Sequence, residues 1–136
     1  MHKDDKMIQG TEYNRGASGV LFENKQCPNI ITKRTKKKNI TQEYTIHTRC
    51  YDICVNGEYH ILRIPKVHML HDTKSYSMEK IDDRVMMICP EGELLAELND
   101  FIGKLDECGI RAFDYELYVQ DNGTVYMIDF DKFNLI

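Results

Sequence analysis

The sequence has 136 residues, enough for one domain or two small lobes, and its 42% hydrophobic and 29% charged residues are ordinary for a globular protein. A net charge of −4 argues against a general nucleic-acid-binding role, and no apolar run approaches the length that spans a membrane. The polar N-terminus does not resemble a signal peptide, and five cysteines without CxxC pairing predict reduced thiols, so we expect an intracellular, cytoplasmic protein.

The first part of the chain predicts three strands joined by turns. Residues 7–22 have the pattern of strand, glycine turn and strand, with the turn at Gly16-Ala17-Ser18-Gly19. The β-branched run Ile30-Ile31-Thr32-Lys33 predicts the next strand. Five of the six residues from Lys33 to Lys38 are basic, which predicts a solvated loop; the alternative is a contact surface for an acidic partner, screened by salt.

The middle of the chain predicts two helices with strands between them. A first helix over about residues 40–54 has Asn39 as its candidate N-cap, and a second helix over residues 93–108 has Gly109 as its C-terminal cap. Strand-like runs lie between them at residues 59–64, 74–81 and 84–88. Apolar residues recur at helical spacing in both helices, namely Ile40, Tyr44, His47, Tyr51 and Cys54 in the first and Leu94, Leu95, Leu98, Phe101, Ile102 and Leu105 in the second.

The end of the chain predicts a β-hairpin whose outer ends carry carboxylates. Two β-rich runs flank Asp121-Asn122-Gly123, and Asn-Gly favours the positive φ angles of a tight turn. Asp114 and Glu116 lie at the start of the first run, and Asp129 and Asp131 lie at the end of the second. A hairpin brings its outer ends together, so the pattern predicts either a cation site at that edge or a set of solvated acids. The order of strands and helices along the whole chain predicts an α+β fold.

Four features follow one another in a specific order. A glycine turn is followed by Lys33 at the end of a strand, Glu43 on the next helix and Asp129 at the end of a late strand. In this order they resemble the protein-kinase family. Gly16 to Phe22 is similar to the latter part of the glycine-rich loop, and the strand ending at Lys33 is similar to the strand with the ATP-binding lysine. Ile128-Asp129-Phe130-Asp131 resembles the DFG motif with Asp131 in place of glycine.

The resemblance implies a truncated, protein-kinase-like α+β fold in a single domain of residues 1–136. Residues 7–88 would form an N-lobe-like antiparallel sheet with one helix, and Arg84 to Ile88 resembles the strand that leads to the hinge. Residues 89–136 would form a reduced C-lobe of one helix and a β-hairpin. The resemblance also implies ATP and Mg²⁺ as cofactors, with nucleotide contacts at Gly16, Ser18, Gly19, Lys33 and Glu43, and metal ligands at Glu116 and Asp129.

The catalytic-loop region departs from the family's pattern. The His-Arg pair is absent before Asp114, which lies only two residues before Glu116. Counting back from Asp129 puts Arg111, which cannot act as a base, where the catalytic aspartate is expected. The chain also ends at Ile136, and we expect it to lack the helices that build a peptide-binding surface.

These departures favour a pseudokinase-type interaction or regulatory module, with or without nucleotide binding, that has an unidentified protein partner. A first alternative is an active small kinase or nucleotide hydrolase, in which Asp114 is the base and Glu116 and Asp129 hold Mg²⁺. A second alternative is a small α+β protein that binds an acidic partner through its basic run. The abundance of Asn, Ile and Lys is typical of an AT-rich genome, such as that of a large DNA virus.

Overall fold

The structure, a computed structural model, describes residues 9–16, 19–36 and 39–136. It confirms the predicted α+β fold, with helices and mainly antiparallel sheets. The chain divides into two compact units. The first unit comprises Met1–Tyr44 and Lys66–Lys80, and the second comprises Thr45–Pro65 and Ile81–Ile136.

Eleven strands and two helices follow one another along the described residues. Among these elements, no helix has the length and apolar character that crossing a membrane requires. In chain order the elements are β1 (Gln9–Gly16), β2 (Gly19–Asn24), β3 (Ile30–Arg34), α1 (Thr41–Asn56), β4 (Leu62–Arg63), β5 (Val67–Asp72), β6 (Ser75–Glu79), β7 (Met86–Met87), α2 (Gly92–Glu107), β8 (Ile110–Arg111), β9 (Glu116–Val119), β10 (Val125–Ile128) and β11 (Asn134–Leu135).

The first unit is built on a five-stranded antiparallel sheet in the order β1-β2-β3-β6-β5. Strand β3 is the middle strand and pairs with β2 and β6, with Lys33 opposite Tyr76 in the β3–β6 register. The β-branched residues of β3 favour this extended conformation. A small apolar cluster of Ile31, Ile40, Tyr76 and Met78 forms the core of this unit.

Helix α1 has nearly the predicted bounds. The side chain of Asn39 accepts the N–H of Thr41 at 2.8 Å, which satisfies one of the free donors at the start of the helix. The buried face of the helix is shifted from the predicted one, because Tyr44 and Tyr51 are only half-buried. Its fully buried side chains are Glu43, Ile46, His47, Cys50 and Cys54.

The second unit is organised around helix α2, whose buried face follows the predicted pattern except that Leu95 is exposed and Ile102 is half-buried. Gly109 ends the helix with a φ of +82°, and its N–H donates to the carbonyl oxygen of Asp106 at 3.0 Å, which confirms the predicted cap. A four-stranded sheet in the order β4-β10-β9-β7 and the pair β8–β11 complete the unit. The helix and these strands share one core, which includes Leu62, Leu94, Leu98, Phe101, Leu105, Ile110, Leu117 and Met127.

Strands β9 and β10 form the predicted closing hairpin, with Glu116 opposite Ile128. Its turn comprises the three predicted residues from Asp121 to Gly123, because the N–H of Gln120 donates to the carbonyl oxygen of Thr124 at 2.8 Å. Within the turn only Gly123 has a positive φ, of 88°, whereas the side chain of Asn122 accepts the N–H of Thr124 at 3.0 Å. The expected positive φ is therefore absent at Asn122, and one glycine is enough to close the turn.

Several short strands differ from the sequence pattern. The run at residues 59–64 contains only β4, and the run at residues 84–88 contains only β7, which pairs with β9 in the second unit. The sequence does not predict strand β5. Its half-buried positions do not alternate with exposed ones, and bulges interrupt its pairing with β6. Strands β8 and β11 pair across a long stretch of chain, which a local pattern cannot report.

Candidate functional site

Lys33 and Glu43 form a buried ion pair in the first unit. Strand β3 carries Lys33, and the first turn of helix α1 carries Glu43. Lys33 Nζ donates to Oε2 of Glu43 at 2.6 Å, and the two side chains are only 8% and 5% exposed. Because removing two charges from water is costly, neither group would be stable here without the other. The lysine–glutamate pairing that the kinase resemblance implies is therefore present.

A third buried group, Tyr76, shares the Glu43 carboxylate. Its Oη donates to Oε2 of Glu43 at 3.2 Å. Within the described ranges no donor reaches the other carboxylate oxygen, Oε1, although that atom is buried. A buried polar atom without a partner is rare in folded proteins, since it loses hydration without compensation. The sequence pattern does not indicate Tyr76, because its place beside Glu43 depends on the register of β3 and β6.

The glycine turn brings strands β1 and β2 together beside Lys33. Gly16 pairs with Gly19 at the end of the β1–β2 ladder. A Cβ atom at Gly19 would lie 2.5 Å from the backbone oxygen of Arg34 and 3.7 Å from Cε of Lys33. Only a residue without a side chain allows this approach. Ser18, another predicted nucleotide contact, lies outside the described residues.

The predicted metal ligands, Glu116 and Asp129, lie at the open end of the closing hairpin. Glu116 pairs with Ile128, the residue before Asp129. Tyr118 Oη donates to Oε1 of Glu116 at 3.0 Å. Burial raises the pKa of Tyr118, and the hydrogen bond to Glu116 and the negative charges of Glu116, Asp83 and Asp129 raise it further. Three carboxylates therefore act on one hydroxyl group, and the sequence pattern does not indicate Asp83 as one of them.

Two of the predicted site residues have a left-handed backbone. Asp114 has a φ of +56° and Asp129 a φ of +77°, and among the described residues other than glycine only Glu58, at +54°, shares this conformation. Aspartate adopts this region more readily than most residues, because its short polar side chain can hydrogen-bond to the nearby backbone. The two aspartates lie just outside strands β9 and β10, beside the open end of the hairpin, where Glu116 also lies.

The residues before the hairpin do not reproduce a kinase catalytic loop. Arg111 lies in β8, where it pairs with Asn134 of β11, and its side chain is exposed. A guanidinium group stays protonated, so Arg111 cannot accept a proton. Asp114 is exposed and separated from Glu116 by one residue. Between Arg111 and Asp114, the two candidates for the position of the catalytic base, only Asp114 has the chemistry of a general base.

Phe130, next to Asp129, is anchored in the core of the second unit. Its ring stacks on His47 at a centroid distance of 4.4 Å and packs edge-on against Phe133 at 5.1 Å. Nε2 of His47 lies 2.8 Å from the carbonyl oxygen of Pro65 and therefore donates to it. These contacts hold the segment after β10 in place, and with it the backbone of Asp129.

The basic run does not form a continuous solvated loop. Lys33 and Arg34 belong to strand β3, and Lys33 is buried against Glu43. The loop interpretation is therefore wrong for Lys33, whose buried ammonium group is not part of an exposed basic surface for an acidic protein partner. Lys36 is exposed, whereas residues 37–38 lie outside the described part of the chain.

A separate group of possible metal ligands lies at the start of helix α2. Ligand atoms of His60, Glu93 and Glu97 lie within 4.8 Å of one another. Both oxygens of Glu97 already accept backbone N–H groups of residues 60–62, at 2.7–2.9 Å. Through these hydrogen bonds, Glu97 holds in place the segment that leads into β4.

The cysteines are free, and the two on helix α1 are not suited to thiolate chemistry. Burial raises the pKa of Cys50 to about 12 and the pKa of Cys54 to about 11. Both thiols therefore stay protonated at neutral pH, and neither is a nucleophile there.

The sequence matches no protein-family model, and a search of curated proteins finds no match. A functional proposal therefore rests on the geometry of the described residues.

Proposed function

We propose that this chain is a kinase-like module that binds a nucleotide and serves as a pseudokinase-type interaction or regulatory domain. The observation that carries the proposal is the buried ion pair of Lys33 and Glu43, at 2.6 Å, beside Gly19. A strand lysine held by a glutamate on the next helix is the arrangement with which protein kinases position the nucleotide phosphates. The same order of strand, lysine, helix and glutamate occurs here.

Lys33 is suited to phosphate binding because its ammonium group has three donors, one of which Glu43 accepts. Gly19 lies close to the aliphatic part of Lys33, and a glycine turn lets the backbone approach a ligand. A phosphate beside this turn would accept a charge-assisted hydrogen bond from Lys33, which is stronger than a bond between neutral groups. The first unit therefore supports recognition of a nucleoside di- or triphosphate.

Glu116 and Asp129 are the proposed Mg²⁺ ligands in the second unit. Mg²⁺ usually binds one or two carboxylates and keeps several water ligands, so two acids suffice. The contacts of Phe130 with His47 and Phe133 keep the adjoining Asp129 in a fixed position. The nearby charge of Asp83 further favours a cation at this end of the hairpin.

The proposed module does not transfer phosphate efficiently. Transfer needs a base that orients the acceptor hydroxyl in addition to groups that bind the phosphates. Arg111 occupies the position at which the resemblance implies that base, and Asp114 does not have the family's spacing to Glu116. Nucleotide binding without efficient transfer is the combination that defines a pseudokinase-type module.

A thermal-shift series tests nucleotide binding. A ligand that binds only the folded state raises Tm, and at a hundred times Kd it stabilises by about 2.7 kcal/mol. We expect MgATP and MgADP to raise the Tm of the wild type and of Lys36→Met, a control at an exposed lysine, but to raise that of Lys33→Met much less. Equal shifts in the two lysine variants, or no shift in the wild type at millimolar nucleotide, would overturn the proposal.

The exposed carboxylate of Asp114, two residues before Glu116, favours a second candidate function, an active phosphotransferase or nucleotide hydrolase with Asp114 as the base. The residue is exposed, has a φ of +56° and follows the exposed Phe113. This candidate predicts release or transfer of the γ-phosphate that is lost in both Asp114→Asn and Asp129→Asn, with MgATP affinity lowered only in Asp129→Asn. A wild type that binds MgATP without turnover would rule out this candidate.

A further inference from the structure

Tyr76 is a buried tyrosine whose hydroxyl group is directed at the Glu43 carboxylate. The residue is 1% exposed and lies opposite Lys33 in the register of β3 and β6. Its Oη is 3.2 Å from Oε2 of Glu43, the same oxygen that accepts from Lys33 Nζ at 2.6 Å. Two donors from neighbouring strands therefore meet on one carboxylate oxygen.

The surroundings of Tyr76 fix the direction in which its hydroxyl group points. Tyr44, the residue after Glu43 on helix α1, packs edge-on against the Tyr76 ring at a centroid distance of 5.6 Å and an angle of 73°. Ile31, Ile40 and Met78 belong to the same apolar cluster. A tyrosine oxygen lies on the axis of its ring, so a ring held on its sides presents the donor at a defined point.

Lys33 alone would hold Glu43 only loosely. No donor from the described residues reaches Oε1 of Glu43, so all of its hydrogen bonding goes through Oε2. The ammonium group of a lysine is carried on a flexible four-carbon chain, which fixes the position of a partner poorly. When a phosphate attracts Lys33, its bond to Glu43 weakens, and Tyr76 remains as the donor that keeps the carboxylate in place.

We propose that Tyr76 is a positioning residue for nucleotide binding, whose hydroxyl group fixes Glu43 so that Glu43 holds Lys33 ready for a phosphate. This inference rests on the proposed nucleotide binding by Lys33 and adds to it a residue on a different strand. According to this inference, the Tyr76 hydroxyl group affects binding only of the part of the ligand that Lys33 contacts. Loss of the Tyr76 hydroxyl therefore lowers affinity for a nucleotide and leaves affinity for the nucleoside unchanged.

The test compares the wild type with Tyr76→Phe, which keeps the ring and removes only the hydroxyl group. Tyr59→Phe is the matched control, because Tyr59 Oη donates to a carboxylate oxygen of Asp100 at 2.7 Å in the second unit. Isothermal titration calorimetry is performed with MgATP and with adenosine. We expect Tyr76→Phe to lose about tenfold in MgATP affinity and nothing in adenosine affinity, whereas Tyr59→Phe loses neither. An equal loss for both ligands would indicate a merely structural role and would overturn the inference.

A second measurement reads the position of Lys33 without a nucleotide. The rate at which acetic anhydride acetylates Lys33, relative to the exposed Lys36, is followed by peptide mass spectrometry. We expect Lys33 to react several-fold faster in Tyr76→Phe than in the wild type or in Tyr59→Phe, since a less firmly held amine is more accessible.

The two measurements separate failure of the inference from failure of the proposed function. If the wild type binds MgATP and Tyr76→Phe binds it equally well, the inference is overturned and the proposed function stands. If the wild type does not bind MgATP, the proposed function is overturned, and the acetylation rates alone decide whether Tyr76 positions Lys33. Unchanged acetylation of Lys33 in Tyr76→Phe then overturns that positioning as well.

Discussion

Lys33 Nζ lies 2.6 Å from Oε2 of Glu43, and both side chains are buried in the first unit. Little water reaches the buried ammonium group of Lys33, so Glu43 is the main group that compensates its positive charge. Removing one partner leaves an uncompensated buried charge, whereas removing both leaves none. The pair is therefore tied to the stability of the sheet as well as to the proposed phosphate binding.

Glu43→Ala is expected to lower the free energy of unfolding by about 3–5 kcal/mol, since Lys33 then stays buried without its counter-charge. The double variant Lys33→Met/Glu43→Leu is expected to lose much less. Equilibrium denaturation in urea at neutral pH measures both values. Arg84→Ala serves as a control because its ion pair with Asp82 lies at the surface, with the Arg84 side chain 78% exposed, and its loss should cost no more than about 1 kcal/mol. A double variant that is as unstable as Glu43→Ala would contradict the account.

Gly19→Ala is expected to destabilise the protein by about 1–3 kcal/mol, because the added Cβ overpacks a rigid site. That atom would lie 2.5 Å from the backbone oxygen of Arg34, which cannot move without disturbing β3. Gly103→Ala is the matched control, since its Cβ would meet nothing within 4 Å on helix α2. It should stabilise the protein by about 0.5–1 kcal/mol, because alanine favours a helix interior over glycine. Urea denaturation measures the free energy of unfolding of both variants. Changes of the same sign in the two variants would contradict the close approach of Gly19 to Arg34.

Glu97 is expected to link stability to pH. Partial burial raises the pKa of Glu97, but the backbone N–H groups of residues 60–62 outweigh it and hold that pKa below its ordinary value of 4.5. A carboxylate with a lowered pKa in the folded state stabilises the protein above pH 4.5, and this stabilisation is lost as the pH falls through the folded-state pKa. Glu97→Gln should therefore be less stable than the wild type at neutral pH, and the difference should shrink in acid.

The measurement is a series of urea denaturation curves for Glu97→Gln between neutral pH and about pH 3, a range that spans the usual glutamate titration. Glu107→Gln removes an exposed carboxylate at the end of helix α2 and serves as the control. A stability difference between Glu97→Gln and the wild type that stays constant across this range would show that the three hydrogen bonds do not favour the charged carboxylate.

Phe130→Ala is expected to lower the free energy of unfolding by about 3–5 kcal/mol, because it removes a fully packed ring from the core. The change deletes the stack on His47 at 4.4 Å and the edge contact with Phe133 at 5.1 Å. Phe113→Ala, at a side chain that is 61% exposed, is the control and should change stability by no more than about 0.5 kcal/mol. Similar losses in the two variants would contradict the anchoring role of Phe130.

The parts of the fold with strong local patterns could be predicted from the sequence. Helix α2 repeats its apolar residues regularly and ends at Gly109, and the closing hairpin has two β-rich runs around a single glycine turn. The sequence predicts the extent of helix α1 but not which of its faces is buried. Glu43 is charged, so a hydrophobicity pattern does not indicate that it is buried. The ion pair with Lys33 supplies the reason for its burial.

The parts that depend on distant segments could not be predicted. Tyr76 reaches Glu43 only through the register of β3 and β6, and Asp83 approaches Tyr118 only after the second unit has folded. Strands β8 and β11 are two residues each and pair across most of the C-terminal segment. Their sequences carry no periodicity long enough to detect, so the contacts that define them are visible only in three dimensions.

A calorimetric titration of MgATP into the wild type and Lys33→Met tests the central claim most directly. We expect saturable binding to the wild type and an affinity about ten- to a hundredfold lower in Lys33→Met, the cost of losing a charge-assisted hydrogen bond to phosphate. Lys36→Met should bind as the wild type does. A folded wild type that does not bind MgATP, or equal affinity in Lys33→Met and the wild type, would contradict the assignment of Lys33 and Glu43 to a nucleotide site.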